Sequence, residues 1–391
     1  MIELFTMRDL QKETTNNISI YEAMKSPKGI NEVYNNPRIG KLVWNPIIQL
    51  LGKDIKNLYF SPSGIIHQLG VEYLKYNQEH YISDLYEIHR LSSTKLLAQP
   101  KQNIPIKKAT LYGGLTYDMD IEEMTTRHDV YENKLNNDIA LNDVDIQRSL
   151  FDINEQAVDS LMSRGLSIAP LSGAKEETTI INNLLISKNI PTTLYQDTEG
   201  TEESFKALSG QNNTLIHIAT HGFYFSDKEK AMPKVLKSFL DEKLSISSME
   251  ETSMNRSGLM FSGANNILRG RRIPNKVENG ILTAKEISML NFQNLDLIVL
   301  SACQTGLGEI KEDGVFGLQR AFKKAGAHTL ILSLWNVSDK ATQLMMSSFY
   351  SNRLEGKNRY DAFKSAQRTV QNSENMSNPY FWASFILLDD I

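Results

Sequence analysis

The stretch LIVLSACQTGLGE, residues 297–309, joins an apolar run to a loop that contains two glycines. The apolar run predicts a buried strand, because polar and apolar side chains do not alternate along it. Two further runs share this pattern, TLIHIAT at 214–220 and HTLILSLW at 328–335. Strands that lack alternation are buried on both faces, which is typical of a parallel sheet covered by helices.

Helical patterns alternate with these strands. The segment GVFGLQRAFKKAGA, residues 314–327, predicts a helix between the strand before Cys303 and the strand at 328–335. The segment GTEESFKALSG, residues 200–210, predicts a helix with Thr201 as its N-cap and Gly210 as its stop. The alternation predicts an α/β fold with three layers, in which helices flank a mostly parallel central sheet.

Composition excludes several classes of protein. The net charge of -4 argues against a nucleic-acid-binding surface, which requires an excess of basic residues. One cysteine can form neither an intramolecular disulfide nor a thiolate-rich metal site, so a reducing compartment is expected. The N-terminus has no signal-peptide pattern, and no apolar run approaches the length of a membrane span. We therefore expect a soluble, cytoplasmic protein that does not bind membranes.

Changes in composition along the chain predict three parts. Residues 1–40 form a polar, helical N-terminal extension. Residues 41–165 form a first part that ends in an exposed insertion, or alternatively a surface helix, at about 117–165. Residues 166–391 form the second part, which carries the chemistry and contains an irregular insertion loop at 226–280.

Two reactive residues follow buried strands. His221 comes after the 214–220 run, and Cys303, the single cysteine, comes after the apolar run LDLIVLSA at 295–302. Reactive groups of open α/β sheets lie beyond the carboxyl ends of the strands. A cysteine attacks as its thiolate, and a nearby histidine can take the thiol proton, so the two residues form a candidate catalytic pair. The alternative is that Cys303 is a small buried hydrophobic residue.

Acyl transfer also requires backbone donors for the developing oxyanion. Gly222 directly follows His221, and its lack of a side chain leaves its N–H open to a substrate. The amide of Cys303 is the second candidate donor. We therefore expect an oxyanion hole formed by these two N–H groups.

The segments around both reactive residues resemble a known family. HIATHGFYF (217–225) and DLIVLSACQTGLGE (296–309) are similar to the caspase-like clan of cysteine peptidases, in which Ala-Cys is followed by Gln, Arg or Gly. The chain resembles more specifically the CHAT domains, a caspase-like family that commonly accompanies tetratricopeptide repeats. The resemblance covers about residues 41–391 and includes RSGLMFSGANN (256–266) and NPYFWASFILL (378–388).

The resemblance implies a function and a site. His221 matches the catalytic histidine of the family, Cys303 its nucleophile, and Gly222 with the Cys303 amide its oxyanion hole. The implied reaction is hydrolysis of a protein substrate through an acyl-enzyme, with no metal or cofactor. It also implies activation by a ligand or partner, such as a tetratricopeptide-type or operon-encoded protein in trans, in a prokaryotic stress or antiviral defence pathway.

The chain departs from the family pattern in two respects. The interval from His221 to Cys303 is 82 residues (303 minus 221), whereas about 50 is typical of caspases. No tetratricopeptide array is visible in the first 40 residues.

Asp339 is the candidate for substrate selection, because an acidic side chain in a loop at the same sheet edge would select Arg or Lys. The surrounding stretch also resembles the corresponding one in separase, an Arg-selective relative. The alternative is that Asp339 caps the following helix. The basic cluster at Arg269, Arg271 and Arg272 is either a self-cleavage site or a solvated run of charge.

The sequence is compatible with two other functions. The chain can be a catalytically silent scaffold that binds partners through its insertions, or an acyltransferase that uses the same Cys–His pair. The other histidines show no metal-ligand spacing, and we expect His217 to be a core histidine with a satisfied hydrogen bond.

Overall fold

The computed structural model describes residues 5–14, 19–98, 104–138, 167–224, 254–255, 257–301, 309–311, 314–336 and 338–390. Within these ranges the strands are β1 (Asn57–Phe60), β2 (Glu87–Arg90), β3 (Ala109–Leu115), β4 (Thr192–Asp197), β5 (Leu215–Ala219), β6 (Gly222–Tyr224), β7 (Ser257–Met260), β8 (Ile281–Thr283), β9 (Leu297–Leu300), β10 (Glu309–Lys311), β11 (Gly314–Phe316), β12 (Thr329–Ser333) and β13 (Phe385–Leu388).

The helices in the same ranges are α1 (Met7–Lys12), α2 (Ile20–Ala23), α3 (Pro27–Tyr34), α4 (Pro37–Ile48), α5 (Ile82–Leu85), α6 (Ile121–Asp138), α7 (Ala174–Ser187), α8 (Glu202–Lys206), α9 (Ala264–Leu268), α10 (Ala284–Ile287), α11 (Leu318–Ala325), α12 (Asp339–Leu354), α13 (Arg359–Gln371) and α14 (Pro379–Trp382). Three short 3₁₀ turns lie at Gly64–Gln68, Val71–Tyr73 and Thr94–Ala98.

The chain divides into two compact units. The first unit comprises Met1–Asn103, Ile310–Gly314 and Thr329–Ile391, and the second comprises Ile104–Glu309 and Val315–His328. The domain boundaries expected from composition stay a prediction.

The second unit contains four parallel strands in the order β4–β3–β5–β9. Every residue of β5 and β9 is buried, which agrees with the absence of alternation in their sequences. The register of this pair runs from Leu215 opposite Leu297 to Ile218 opposite Leu300. The carboxyl ends of β5 and β9 therefore lie at the same edge of the sheet.

Side chains cover both faces of this sheet. On one face α7 packs against β3, β4 and β5, and Glu177 of α7 is within 2.9 Å of His217 Nε2. His217 is fully buried, so the expectation of a satisfied core histidine is confirmed. On the other face the Tyr112 ring contacts Phe205 and Phe261, with centroids 5.7 and 5.6 Å away. The unit therefore has three layers.

The first unit repeats this arrangement on the order β1–β2–β13–β12. β2 is parallel to both β1 and β13, whereas β12 and β13 are antiparallel. Phe60 of β1 contacts Trp44 of α4 on one face, and His89 of β2 contacts Tyr360 of α13 on the other. The predicted α/β class, with a mostly parallel sheet between helical layers, is thereby confirmed.

The segment 226–280 differs from the irregular loop that its polar composition predicted. Within its described residues, β7 pairs with β6 and β8, and α9 follows directly after β7. All residues of both elements are buried. The prediction fails because polar side chains, among them Asn265 and Asn266, are buried here with hydrogen-bond partners. Residues 225–253 and 256 lie outside the described ranges.

The expectation of an exposed insertion at about 117–165 is also partly wrong. Tyr117 and Met119 are buried, and α6 turns Met124, His128 and Tyr131 inward at helical spacing. The alternative of a surface helix describes α6 correctly, because its other face is exposed. Residues 139–166 lie outside the described ranges.

Within the described part of the chain, we find no helix that is both long enough and apolar enough to cross a membrane.

His67 makes the stability of the first unit depend on pH. Burial, assisted by the charge of Arg90, lowers the pKa of His67 to about 4 from an ordinary value of 6.5. The unfolded chain therefore takes up a proton near pH 6.5 that the folded chain takes up only near pH 4. The free energy of unfolding should fall over this interval as pH drops, by at most about 1.4 kcal/mol per pH unit.

Denaturant unfolding of the wild type and of His67→Gln between pH 4.5 and 7.5 would measure this effect. The variant should lose the His67 contribution to the slope. The matched variant His80→Gln replaces a half-buried histidine of the same unit and should keep it. An identical pH slope in wild type and His67→Gln would contradict the assignment.

Candidate active site

His221 lies just beyond the carboxyl end of β5. Thr220, which links it to the strand, is fully buried, whereas His221 is half-buried and Gly222 begins β6. The imidazole therefore lies at the carboxyl-end edge of the parallel sheet, where reactive groups of such sheets are found, as the sequence predicts.

One nitrogen of the His221 ring is held by a backbone carbonyl. Nε2 lies 2.8 Å from the carbonyl oxygen of Ala169, which can only accept a hydrogen bond. Nε2 must therefore carry a hydrogen. In the neutral ring this leaves the lone pair on Nδ1, so Nδ1 is the nitrogen that can act as a base.

Tyr117 supports the His221 ring from the side. The two ring centroids are 5.3 Å apart, with the planes inclined by 54°. The Thr220 hydroxyl donates to the carbonyl of Met260, so the Tyr117 hydroxyl must donate to Thr220 Oγ1, which is 2.8 Å away. Tyr117 and Thr220 are both buried, and this chain of bonds fixes the backbone that carries His221.

The register of β6 determines where the Gly222 amide is directed. The Met260 amide donates to the His221 carbonyl at 2.9 Å, so His221 and Met260 form a hydrogen-bonded pair of the antiparallel ladder. Gly222, opposite Leu259, is the next pair and therefore a non-hydrogen-bonded one. Its N–H consequently points away from β7.

Cys303 lies outside the described residues, and so does the loop that follows it up to residue 308. Its strand, β9, is described and pairs directly with β5. Ile218 lies opposite Leu300, and His221 and Cys303 are each three residues further along their chains.

Asp339 is the first residue of α12 and is exposed. The N-cap of α12 is Ser338, whose hydroxyl accepts from the Ala341 amide at 3.3 Å. The alternative that Asp339 itself caps the helix is therefore wrong, although its charge suits the first turn of a helix. Asp339 belongs to the first unit and His221 to the second.

The basic cluster between the two reactive residues is only partly a solvated run of charge. Arg269 forms an ion pair with Asp118, and Arg271 Nη1 donates to Asn266 Oδ1 at 3.2 Å. Arg272 is exposed.

Two groups of potential metal ligands occur among the described residues. Glu202, Glu278 and Glu286 surround the ammonium of Lys206, which fills the space between them. His128, Asp129 and Glu132 meet on α6, where Glu203 lies 3.5 Å from His128 Nδ1. Neither group is near His221 in the sequence.

Three residues around His221 were not predicted from the sequence: Tyr117, Ala169 and Asn265. Ala169 acts through its carbonyl, which no side-chain pattern reveals. Asn265 lies in RSGLMFSGANN, a stretch that carries the family resemblance, and that position was the available signal.

Comparison with curated proteins finds similarity to two tetratricopeptide repeat proteins. Tetratricopeptide repeat protein 28 of Homo sapiens is 36% identical over 108 residues, which is 28% of this chain. Its counterpart from Mus musculus is 35% identical over 108 residues. The match spans 4% of the length of each relative.

Among solved structures, the Arg specific cysteine proteinase gingipain R (RGPB) aligns with a TM-score of 0.45 and 10% identity, over 89% of this chain and 68% of that chain. The Saccharomyces cerevisiae separase-securin complex aligns with a TM-score of 0.42 and 12% identity, over 90% of this chain and 17% of that chain.

The family comparison covers far more of the sequence than the curated relatives do. The CHAT domain description matches residues 37–390, which include every strand from β1 to β13 and the His221 region. The chain belongs to the CHAT domain family.

Proposed function

We propose that the chain is a cysteine endopeptidase in which His221 and Cys303 form the catalytic pair. The observation that carries this proposal is the register of β5 and β9, in which both residues lie three positions beyond the same strand pair. Neighbouring strands are about 4.8 Å apart, so side chains at matching positions are within reach of each other.

The geometry of His221 suits a base. Because Nε2–H is donated to the Ala169 carbonyl, Nδ1 is left to take the thiol proton of Cys303. The carbonyl also stabilises the imidazolium that forms, as an orienting group does in other nucleophile–base pairs.

The reaction then proceeds in two steps. The Cys303 thiolate attacks the peptide carbonyl carbon, and the oxyanion is stabilised by the amides of Gly222 and Cys303. The C–N bond breaks as the imidazolium donates its proton to the leaving amine, which leaves a thioester. Water then loses a proton to His221 and attacks the thioester, which releases the carboxylic acid and restores the thiol.

Asp339 is proposed to select an Arg or Lys side chain before the scissile bond. Its support is its exposed carboxylate at the start of α12. A partner protein is proposed to activate the enzyme, and the similarity to tetratricopeptide repeat proteins supports a partner of that type. A role in prokaryotic stress or antiviral defence stays a prediction from the family resemblance.

Cleavage of a fluorogenic peptide library that varies the residue before the scissile bond tests the activity. The assay is run with and without candidate partner proteins; with the activating partner present the wild type should hydrolyse members of the library, and Cys303→Ala should not. Asp339→Asn should weaken a preference for Arg or Lys and leave hydrolysis of other members unchanged. No difference between wild type and Cys303→Ala would overturn the proposal in favour of a non-catalytic scaffold.

A further inference from the structure

Asn265, in α9, is a fully buried polar residue. Both polar atoms of its side chain form hydrogen bonds to the backbone of one distant residue, Ile168. Its Oδ1 accepts from the Ile168 amide at 2.8 Å, and its Nδ2 donates to the Ile168 carbonyl at 3.0 Å. The two bonds reproduce the pairing that a neighbouring strand would supply.

We call this pair of hydrogen bonds the Ile168 clamp. The residue after Ile168 is Ala169, whose carbonyl accepts from His221 Nε2. Residues 167–170 form neither helix nor strand, and Ala169 is exposed. Regular secondary structure therefore does not set the direction of this carbonyl. The side chain of Asn265 holds the preceding residue, Ile168, through both its N–H and its C=O. These bonds fix the peptide groups on either side of Ile168, and the second of them leads into Ala169 and so limits where the Ala169 carbonyl points.

Asn265 also connects to the second support of His221. Its backbone amide donates to the Tyr117 carbonyl at 3.1 Å, and the Tyr117 ring packs against His221. One buried residue thus links the two groups that hold the imidazole, one through its side chain and the other through its main chain.

The turn before α9 brings Asn265 into this position. Gly263 has φ of 88°, a left-handed conformation that favours glycine, and its amide donates to the Thr116 carbonyl at 3.1 Å. A Cβ at Gly263 would lie 2.7 Å from Met124 Cε. Backbone hydrogen bonds therefore hold the start of α9 against residues 116 and 117, and this places the side chain of Asn265 within reach of Ile168.

We infer that Asn265 is a positioning residue of the active site: by clamping Ile168 and anchoring Tyr117, it holds the Ala169 carbonyl on His221 Nε2 and so keeps Nδ1 as the nitrogen that acts as the base. The inference rests on the proposed function for its catalytic consequence, but the geometry it claims exists in the resting protein.

Asn266 supplies a matched control. It is the next residue of α9, is 2% exposed, and donates from Nδ2 to the Met119 carbonyl at 2.6 Å. Asn266→Ala removes a buried amide from the same helix turn and leaves the Ile168 clamp intact. A purely structural role for Asn265 predicts that the two alanine variants behave alike.

The direct readout is the hydrogen on His221 Nε2, followed by NMR in the full chain with ¹⁵N-labelled histidine. The seven histidines are assigned by loss of a signal in His221→Gln. The wild type and Asn266→Ala should show a protected Nε2–H signal for His221. In Asn265→Ala, exchange of this hydrogen with water should be at least about tenfold faster, because its acceptor is no longer held.

Asn265→Asp is a second variant that leaves no cavity in the core, because the two side chains have nearly the same size and shape. When ionised, the introduced carboxylate accepts from the Ile168 amide but cannot donate to the Ile168 carbonyl, so Nε2–H exchange should also be faster than in Asn266→Ala at any pH at which this group is ionised. Where peptide turnover is measured, the two Asn265 variants should lower kcat by about 10- to 100-fold with little change in KM.

Equal protection of the His221 hydrogen in folded Asn265→Ala, Asn265→Asp and Asn266→Ala would overturn the inference and leave the peptidase proposal standing. Loss of protection in the Asn265 variants alone, with no effect of Cys303→Ala on peptide turnover, would support the positioning role and reject the peptidase.

Discussion

Replacing His221 by alanine is expected to lower kcat/KM for peptide hydrolysis by about 10³-fold or more. The variant loses the group that accepts the Cys303 proton and later protonates the leaving amine, and no nearby side chain is proposed to replace it. The fold should survive, because His221 is half-buried at a strand end and its removal leaves no void in the core. Steady-state kinetics on the best library peptide measures the effect.

His80→Ala is the matched control for this experiment. His80 is also half-buried, but it belongs to the first unit, where its Nδ1 lies 3.3 Å from Asn77 Oδ1. Its replacement should change kcat/KM by less than about twofold, within the range of ordinary surface substitutions. A His221→Ala variant that keeps a tenth of the wild-type kcat/KM would show that His221 is not the catalytic base.

Replacing Lys206 by methionine is expected to destabilise the protein by about 3–5 kcal/mol at neutral pH. The Lys206 ammonium lies 2.7 Å from Glu202, 2.9 Å from Glu278 and 3.5 Å from Glu286. Burial alone would lower the pKa of Lys206. The three neighbouring acidic groups have the larger effect and hold its pKa well above the ordinary value. Methionine fills the same space and leaves the carboxyl groups of Glu202, Glu278 and Glu286 without their cation.

The destabilisation should depend on pH in a definite direction. Burial raises the pKa of Glu202 to about 8, and the Lys206 charge opposes that rise. Without Lys206 the pKa of Glu202 rises further above its unfolded value. A group with a raised folded pKa loses its stability contribution as pH increases. The cost of Lys206→Met should therefore be smallest near pH 5 and largest above pH 8.

Lys175→Met provides the comparison for an exposed pair. Lys175 Nζ lies 2.7 Å from Asp197, the same distance as in the Lys206–Glu202 pair, but the two side chains are 52% and 59% exposed. Solvent screens such a pair, so its loss should cost about 0–1 kcal/mol. Denaturant unfolding of both variants at pH 5, 7 and 8.5 measures the difference. Equal costs for the two variants would contradict the importance of burial.

The sequence predicted the central strands and several helix caps because these depend on local pattern. The runs 214–220, 295–302 and 328–335 are apolar on both faces, and β5, β9 and β12 lie within them. Thr201 caps α8 as expected, since its hydroxyl accepts from the Ser204 amide. The order of the strands within each unit was not predictable, because pairing joins residues that are far apart in the chain.

The surroundings of His221 could not be predicted for the same reason. Asn265 reads as polar in the sequence, and polarity ordinarily indicates exposure. Its burial depends on a partner 97 residues away, the Ile168 backbone, which offers one donor and one acceptor. The same misreading produced the expected loop at 226–280. Polar residues that are buried with distant backbone partners are thus the places where composition misleads.

The central claim is that His221 activates Cys303, and alkylation of Cys303 tests it most directly. Because Cys303 is the single cysteine, carbamidomethylation by iodoacetamide measured by mass spectrometry reports on this residue alone. Rates are compared between pH 5.5 and 9.5 in the wild type and in His221→Ala. We expect that at pH 7 the wild type reacts at least about tenfold faster, and that the variant reacts appreciably only as pH approaches 8.5, the ordinary pKa of a free thiol. Identical profiles in the two proteins would contradict the account, because they would show that the histidine has no influence on the thiol.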